Sequence, residues 1–135
     1  MQRRWPSRLA IVCAIAVLPG AQSIHAKVQI TITRKDSRQY PPKTDDCAIT
    51  VYQEPDAKPD APYGEVAVIN YHDERHRTKD DALKLSVALP ILKARACRLG
   101  ADGLIDIRVT EVRRLEFAMF NVRATAVRFG DAQKQ

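Results

Sequence analysis

The stretch from Asp80 to Thr110, DDALKLSVALPILKARACRLGADGLIDIRVT, decides the fold. Apolar residues recur in it at alternating steps of four and three, which places them on one face of a helix. These residues are Leu85, Leu89, Leu92, Ala96 and Leu99. Gly100 is a natural C-terminal cap, and the chain then turns through Ala101, Asp102 and Gly103. From Leu104 to Val109 the composition becomes that of a strand. The stretch therefore predicts an amphipathic helix that leads directly into a buried strand.

Pro90 is the one local contradiction within the predicted helix. An interior proline removes a backbone hydrogen bond and clashes with the carbonyl four residues earlier, at a cost of about 3 kcal/mol. We therefore expect a kink near Ser86 to Pro90, or two helical pieces that meet there. Upstream, Thr78 is followed three residues later by Asp81, which resembles a capping arrangement at the start of the helix.

Met1 to Ala26 has the pattern of a secretory signal peptide. Three arginines in the first eight residues precede the apolar run from Leu9 to Leu18, and Ile24-His25-Ala26 is a plausible cleavage motif. The apolar run is too short to cross a bilayer comfortably, because a spanning helix needs roughly 20 apolar residues. We expect cleavage, and hence a periplasmic or secreted bacterial protein without stable membrane insertion. The alternative is a retained N-terminal anchor.

Cleavage of this signal would change the net charge of the chain, which is one of the properties that indicate a protein's binding partners. Three of the 22 basic residues and none of the 16 acidic residues lie in the signal, so the mature chain has a net charge of +3. Its basic residues are interspersed with acidic ones rather than clustered with aromatic residues. The composition therefore argues against nucleic-acid binding, and the mature length suits one small domain.

The cysteine count points to one disulfide. Cys13 leaves with the signal, so that Cys47 and Cys97 remain, and two cysteines in an oxidising compartment suggest a bridge. Such a bridge would stabilise the fold by roughly 4 kcal/mol in the chain-entropy model. The alternative is a pair of buried reduced thiols. A metal site is less plausible, because two cysteines without nearby partners do not fill a tetrahedral shell.

Strand periodicity recurs along the rest of the chain. Segments with this pattern are Lys27 to Arg34, Cys47 to Gln53, Tyr63 to Tyr71, Leu104 to Arg113 and Phe117 to Phe129. The first is either an edge strand or an extended arm. In the last, apolar residues alternate without interruption from Ala118 to Ala126, so one face is committed to the core. The short connection Arg114 to Glu116 joins the final two strands.

Polar or proline-rich segments separate these strands. They are Lys35 to Asp46, Glu54 to Pro62 and His72 to Lys79, and we interpret all three as loops. The last five residues, Asp131 to Gln135, are expected to form a frayed tail.

The order of elements predicts an α+β fold, a small mixed sheet of β-β-α-β-β with one helix packed on one face and a possible extra N-terminal strand. The predicted organisation is a signal peptide over residues 1–26, an N-terminal strand and linker over 27–46, a single domain over 47–130, and a tail over 131–135. The helix would make a parallel crossover flanked by two antiparallel hairpins. If the first core strand ran parallel to the third, Cys47 and Cys97 would lie at the same end of the sheet.

His72, Asp73 and His76 are the candidate metal ligands in the sequence. The two histidines are four residues apart, as in zinc-binding helices, but the order H-D-E-R-H differs from H-E-x-x-H and the stretch precedes the predicted helix. A solvated loop is the simpler interpretation.

Catalytic motifs are not evident in the chain. It contains no G-x-S-x-G sequence, no glycine-rich phosphate loop and no cysteine with a plausibly placed histidine base. The carboxylates of Asp102, Asp106 and Glu111 are more simply explained by surface pairing than by acid-base catalysis. We therefore predict no enzyme activity and no cofactor.

Two stretches, ITVYQEPDAKPDAPYGEVAVIN and LKARACRLGADGLIDIRV, resemble the RcsF-like proteins of the bacterial envelope and, more loosely, the YbjQ-like family of heavy-metal-binding proteins. The shared pattern covers about Cys47 to Phe129. The resemblance implies the same small sheet with a helix. It also implies a protein that senses envelope damage by contacting other proteins, with disulfides that secure its signalling domain.

Taken together, these features predict a secreted or periplasmic non-enzymatic protein-interaction domain with a role in envelope stress sensing or envelope maintenance. The exposed strand Lys27 to Arg34 is the candidate edge for pairing with an envelope protein. The alternative is a metal-binding protein of the YbjQ-like type that uses the loop from His72 to His76. The oligomeric state is left open.

Overall fold

A computed structural model of the protein describes residues 27–76 and 84–130. They form one five-stranded sheet and one helix, which confirms the predicted α+β class. The elements are β1 (Lys27–Arg34), β2 (Thr50–Val51), β3 (Tyr63–His76), α1 (Leu85–Arg98), β4 (Gly103–Arg113) and β5 (Phe117–Phe129). The predicted signal peptide, the capping arrangement at Thr78 and Asp81, and the tail lie outside the described residues.

The strand order across the sheet is β1-β3-β5-β4-β2. β3 and β4 both pair antiparallel with β5, so they run parallel to each other, and α1 connects them. The predicted parallel crossover is therefore confirmed, with β5 inserted between its two strands. β2 pairs parallel with β4, which is the arrangement expected to bring the cysteines to one end.

Only one of the two predicted hairpins forms among the described residues. β4 and β5 form it through residues 114–116, as expected. The predicted hairpin between β2 and β3 does not form, because β4 and β5 lie between these two strands in the sheet. β2 has just two residues, and the proline-rich segment after it is long enough to cross three strand spacings of about 4.8 Å each.

β1 is a full member of the sheet, which confirms the possible extra strand. It pairs antiparallel with β3 along its whole length, from Lys27 opposite Glu74 to Arg34 opposite Ala67. The folded unit therefore includes residues upstream of Cys47. The segment from Lys35 to Asp46 has no regular structure, as predicted.

The helix runs unbroken from Leu85 to Arg98, so the two-piece alternative was wrong. Pro90 is its sixth residue and lies on the exposed side. The first helical hydrogen bonds run from Val87 and Ala88 to Lys84. The bond that Pro90 forgoes would go to Ser86, in the first turn. The proline therefore removes a single helical bond, the one that would join the second turn to the first.

The C-terminal end of α1 is a Schellman motif. Gly100 has a φ of 75° and donates its N–H to Cys97 O at 2.9 Å, while Ala101 donates to Ala96 O at 3.0 Å. The carbonyls of Ala96 and Cys97 in the last turn thus find partners. The predicted cap at Gly100 is confirmed.

The main core lies between α1 and one face of the sheet. The predicted helix face supplies Leu92, Ala96 and Leu99, with Ala88 and Cys97 added. The sheet contributes the alternating residues that face α1, namely Ala67, Ile69, Tyr71, Leu104, Phe120, Val122, Ala124 and Ala126. On the opposite face, the register places Val68, Thr125 and Ile105 in one buried row.

Candidate functional site

The polar segment that contains the predicted metal ligands is a strand rather than a loop. β3 continues to His76, and its residues 72–76 pair with Phe117–Asn121 of β5. The sequence-based prediction failed because these residues lack apolar periodicity. Their backbone groups pair with β5 as far as His76 and with β1 as far as Glu74, so pairing rather than burial fixes their conformation.

Strand geometry separates the predicted ligands. Successive side chains point to opposite faces of a sheet. Asp73 is 1% exposed and lies on the α1 side, whereas His72 lies on the other side. The Cα atoms of residues four apart in a strand are separated by about 13 Å, roughly twice the distance on a helix. The spacing of His72 and His76 therefore does not have the meaning that it has in a zinc helix. The predicted ligand set is not brought together.

Asp73 is occupied by its own neighbours. Its carboxylate accepts hydrogen bonds from Arg75 Nε at 3.1 Å and Tyr71 Oη at 3.2 Å, and Arg75 Nη2 lies 2.9 Å away. Burial, with the nearby Asp73 charge, raises the pKa of Tyr71, and the bond to Asp73 raises the pKa of Arg75. A carboxylate that is neutralised in this way is a structural group. Among residues 27–76 and 84–130, no three His, Cys, Asp or Glu side chains are close enough to hold a metal ion.

His72 forms a short chain of polar contacts on the opposite face. Its Nδ1 lies 2.5 Å from Asn121 Oδ1, and its Nε2 lies 3.8 Å from Glu74 Oε2. An amide oxygen can only accept, so Nδ1 carries the proton. The contact with Asn121 thereby links β3 to β5 through their side chains.

The predicted surface pairing of acidic residues is confirmed for two of the three. Glu111 accepts from Arg113 Nε at 2.5 Å, and Asp102 pairs with the Lys43 ammonium. Asp102 also accepts the Phe129 N–H at 2.8 Å. Partial burial acts to raise the pKa of Asp102, but the bonds from Lys43 and Phe129 outweigh it and lower the pKa.

Cys47 and Cys97 form the predicted disulfide, with a Cα–Cα distance of 5.9 Å. Further contacts fasten the same part of the chain to the end of α1. Lys43 donates its N–H to Cys97 O at 2.9 Å, and Arg98 binds Asp45 through two bonds of 2.7 Å. We call residues 40–47 the clamp, since they tie the connection between β1 and β2 to the helix.

The outer edge of β1 is an exposed row of backbone groups. Lys35 donates to Val66 O at 2.9 Å, which fixes the phase of the β1–β3 ladder. Because an antiparallel ladder alternates, the residues of β1 whose N–H and C=O groups face outward are Val28, Ile30, Ile32 and Arg34. The helix packs on β3, β4 and β5 but not on β1. Val28 and Ile32 are accordingly 43% and 37% exposed.

A second exposed surface lies on the side of the sheet away from α1. We call it the polar face, and it consists of Gln29, Thr31, Asn70, His72, Asn121, Arg123, Arg108 and Thr110. The register aligns these residues in two rows that cross β1, β3, β5 and β4. Sequence analysis missed this surface because it depends on which strands are neighbours.

No protein-family model matches the chain, and no curated protein matches it in sequence. Among solved structures, its fold is similar to that of the Francisella virulence factor FvfA, crystallised in an orthorhombic form. The TM-score is 0.55 over 78% of this chain and 100% of FvfA, at 16% sequence identity. A likeness at this identity concerns the fold alone. The resemblance to RcsF-like and YbjQ-like proteins stays a prediction.

Proposed function

We propose that this chain is a secreted or periplasmic protein-interaction domain, without catalytic activity, that binds an extended segment of an envelope protein along the outer edge of β1. A role in envelope stress sensing or envelope maintenance, as in the RcsF-like proteins, is the setting that we propose. The exposed edge of β1, with apolar side chains that the helix leaves uncovered, is the observation that carries the proposal.

The disulfide supports the proposed compartment. Disulfides form and persist in oxidising environments such as the periplasm and are rare in the cytosol. The Cys47–Cys97 bridge therefore favours an extracytoplasmic location. In residues 27–76 and 84–130, no helix is long and apolar enough to cross a membrane.

The geometry of β1 supports strand addition. Edge strands are commonly protected by proline, by inward-pointing charge or by shortness. β1 has eight residues, contains no proline and has Val28, Ile30 and Ile32 on one face. A strand added to this edge would gain main-chain hydrogen bonds, and its apolar side chains would extend the layer beside α1.

The charge of β1 favours an acidic partner strand over a second copy of the chain. The strand begins at Lys27 and ends at Arg34, and it contains no acidic residue. A symmetric antiparallel pair of two β1 strands would join two strands that carry basic side chains and no acidic ones. Opposite charges on neighbouring strands stabilise a strand pair, and two copies of β1 cannot supply them. A partner strand with apolar alternation and acidic side chains can.

The test is capture of envelope proteins by the mature chain and by an Ile32→Pro variant. Proline at this position removes an outward-facing donor without breaking a bond to β3, so the fold should be retained. We expect Ile32→Pro to lose the captured protein. Hydrogen exchange on the wild-type complex should show new protection of the Val28 and Ile30 amides.

Ile32→Ala is the matched control, because it shortens the same side chain but keeps the N–H group. We expect this variant to retain capture. The proposal is wrong if Ile32→Pro or a folded variant without β1 captures its partner as well as the wild type, or if the wild type captures no envelope protein.

A further inference from the structure

Arg108 and Arg123 occupy an unusual position on the polar face. They are direct partners in the β4–β5 register, so their Cα atoms are about 4.5 to 5.5 Å apart on the same side of the sheet. Both side chains are exposed. Like charges in such a pair destabilise the sheet. The fold therefore places two cations where folding alone would disfavour them.

No acidic group of the described residues compensates this pair. Within residues 27–76 and 84–130, neither guanidinium forms an ion pair or a hydrogen bond. The neighbours of Arg123 along the same row are Asn70 and Thr31, which carry no charge. The next row contributes Asn121 and Thr110, which are also neutral. The ten N–H groups of the two arginines are thus directed to solvent.

A β-bulge creates the arrangement. The register passes from Ile105 opposite Thr125 to Arg108 opposite Arg123, which gives β4 one extra residue. Asp106 lies in this bulge with a φ of 49°, a left-handed conformation that few residues other than glycine, asparagine and aspartate adopt. Without the extra residue, Ile107 would lie opposite Arg123 and Arg108 would turn to the α1 side. Bulges of this kind often redirect a side chain at a functional surface.

We propose that the Arg108–Arg123 pair binds a protein segment that presents two neighbouring carboxylates. Each guanidinium offers a planar fork that matches one carboxylate through two hydrogen bonds. Two adjacent forks on one face of the sheet therefore fit acidic residues that alternate along an extended segment. The pair lies on β4 and β5, two or more strands from β1, so the inference does not depend on strand addition at β1.

The surface favours a protein over an anionic membrane. Peripheral membrane binding usually combines several basic residues with apolar side chains that enter the bilayer. The two rows of the polar face contain no exposed aromatic or large aliphatic residue, and Glu74 lies beside them. The two positive charges of Arg108 and Arg123, with neutral hydrogen-bonding neighbours, therefore match two carboxylates better than they match a membrane surface.

The experiment is an NMR titration of the mature, disulfide-bonded chain with an extended peptide that contains two glutamates at alternate positions. The readout is the Nε–Hε signals of Arg108 and Arg123. We expect both signals to shift. The Arg108→Gln/Arg123→Gln variant should bind at least tenfold more weakly, and the matching peptide with glutamines should not bind.

Two control variants separate a binding role from a charge effect. Arg114→Gln removes the same charge from the nearby turn and should leave peptide affinity within twofold of the wild type. Arg108→Lys/Arg123→Lys keeps the charge but loses the forks, and should bind several-fold more weakly. Because repulsion is relieved, each single glutamine variant should melt no lower than the wild type.

Several results would overturn the proposal. One is the absence of any shift of the two Nε–Hε signals at millimolar peptide. Others are equal binding of the glutamate and glutamine peptides, or a lower melting temperature in both single glutamine variants, which would indicate a structural role. Binding of phosphatidylglycerol vesicles through the same two arginines, without peptide binding, would replace the protein segment by a membrane.

Discussion

Gly100 is the residue on which the end of α1 and the clamp both depend. Its positive φ allows the Schellman motif, and its lack of a side chain lets the clamp approach. A Cβ added at this position would lie 2.7 Å from Tyr40 Cβ and 2.8 Å from Pro41 O. A Cβ atom at position 100 is therefore disfavoured both by the backbone conformation and by packing.

Gly100→Ala should lower the free energy of unfolding by about 2 kcal/mol or more, because left-handed strain adds to a clash with Tyr40 Cβ and the Pro41 carbonyl. Urea denaturation measures this effect. Gly130→Ala is the matched control, since Gly130 also has a positive φ, of 83°, but no atom lies within 4 Å of its added Cβ. We expect a loss of about 1 kcal/mol there from backbone strain alone. Equal losses in the two variants would contradict the packing role of Gly100.

Asp102 should make the free energy of unfolding depend on pH in the acidic range. Its folded pKa lies below the ordinary value of 3.8, so ionised Asp102 stabilises the fold above that value. This contribution is lost as the pH falls through the lowered pKa. Asp102→Asn should therefore be less stable than the wild type at neutral pH, and the difference should shrink below about pH 4. Chemical denaturation at several pH values measures it.

Asp60→Asn provides the control for loss of one negative charge, since Asp60 lies exposed in the loop after β2. This variant should have nearly wild-type stability at neutral pH. A stability difference for Asp102→Asn that stays constant from neutral pH to below pH 3 would show that Asp102 does not act through its ionised form.

At the scale of elements, the clamp holds a segment that has no regular structure of its own. Its attachments to the end of α1 include the disulfide, the Lys43 N–H bond, the Arg98–Asp45 pair and the packing of Tyr40 on Gly100. Tyr40 also lies under the Arg128 guanidinium, 4.5 Å from the ring centroid. The clamp thereby fixes how the chain passes from β1 to β2.

Cys47→Ser/Cys97→Ser should lower the free energy of unfolding by roughly 4 kcal/mol, because the 50-residue separation leaves a large loop unconstrained in the unfolded chain. Trypsin should also cut faster within residues 35–46 in this variant. Thermal unfolding and limited proteolysis measure the two effects. Reduction of the wild type should reproduce both, and unchanged cleavage after reduction would show that the polar contacts alone hold the clamp.

At the scale of the whole molecule, some features followed directly from the sequence. The helix face, the cap at Gly100, the bounds of β5 and the disulfide depend on local periodicity, on one special backbone position and on cysteine arithmetic. The first three depend on residues close together in sequence. The disulfide depends on the number of cysteines, which is the same whatever the order of the strands. The predicted α+β class therefore agrees with the structure.

Other features depend on contacts between distant segments. β3 extends to His76 because β5 pairs with it over its last residues, although these residues are polar. The bulge at Asp106 depends on the register with β5, and the position of β2 depends on which edge of the sheet remained open. The loop expected from His72 onward was wrong over residues 72–76 for the same reason, since the conformation of these residues follows from strand pairing.

The clamp has a mechanical consequence. β1 and β2 lie at opposite edges of the sheet, so the connection between them crosses the whole molecule, and the disulfide attaches it to α1 at Cys47, just before β2. A partner that pulled on β1 could peel that strand and draw out the chain as far as Cys47. The covalent bridge would then divert tension to Cys97, so the segment between the cysteines, which contains β2, β3 and most of α1, would bear no load. Force applied to β1 would thus lengthen the protein by a fixed amount, while the segment between Cys47 and Cys97 stayed folded.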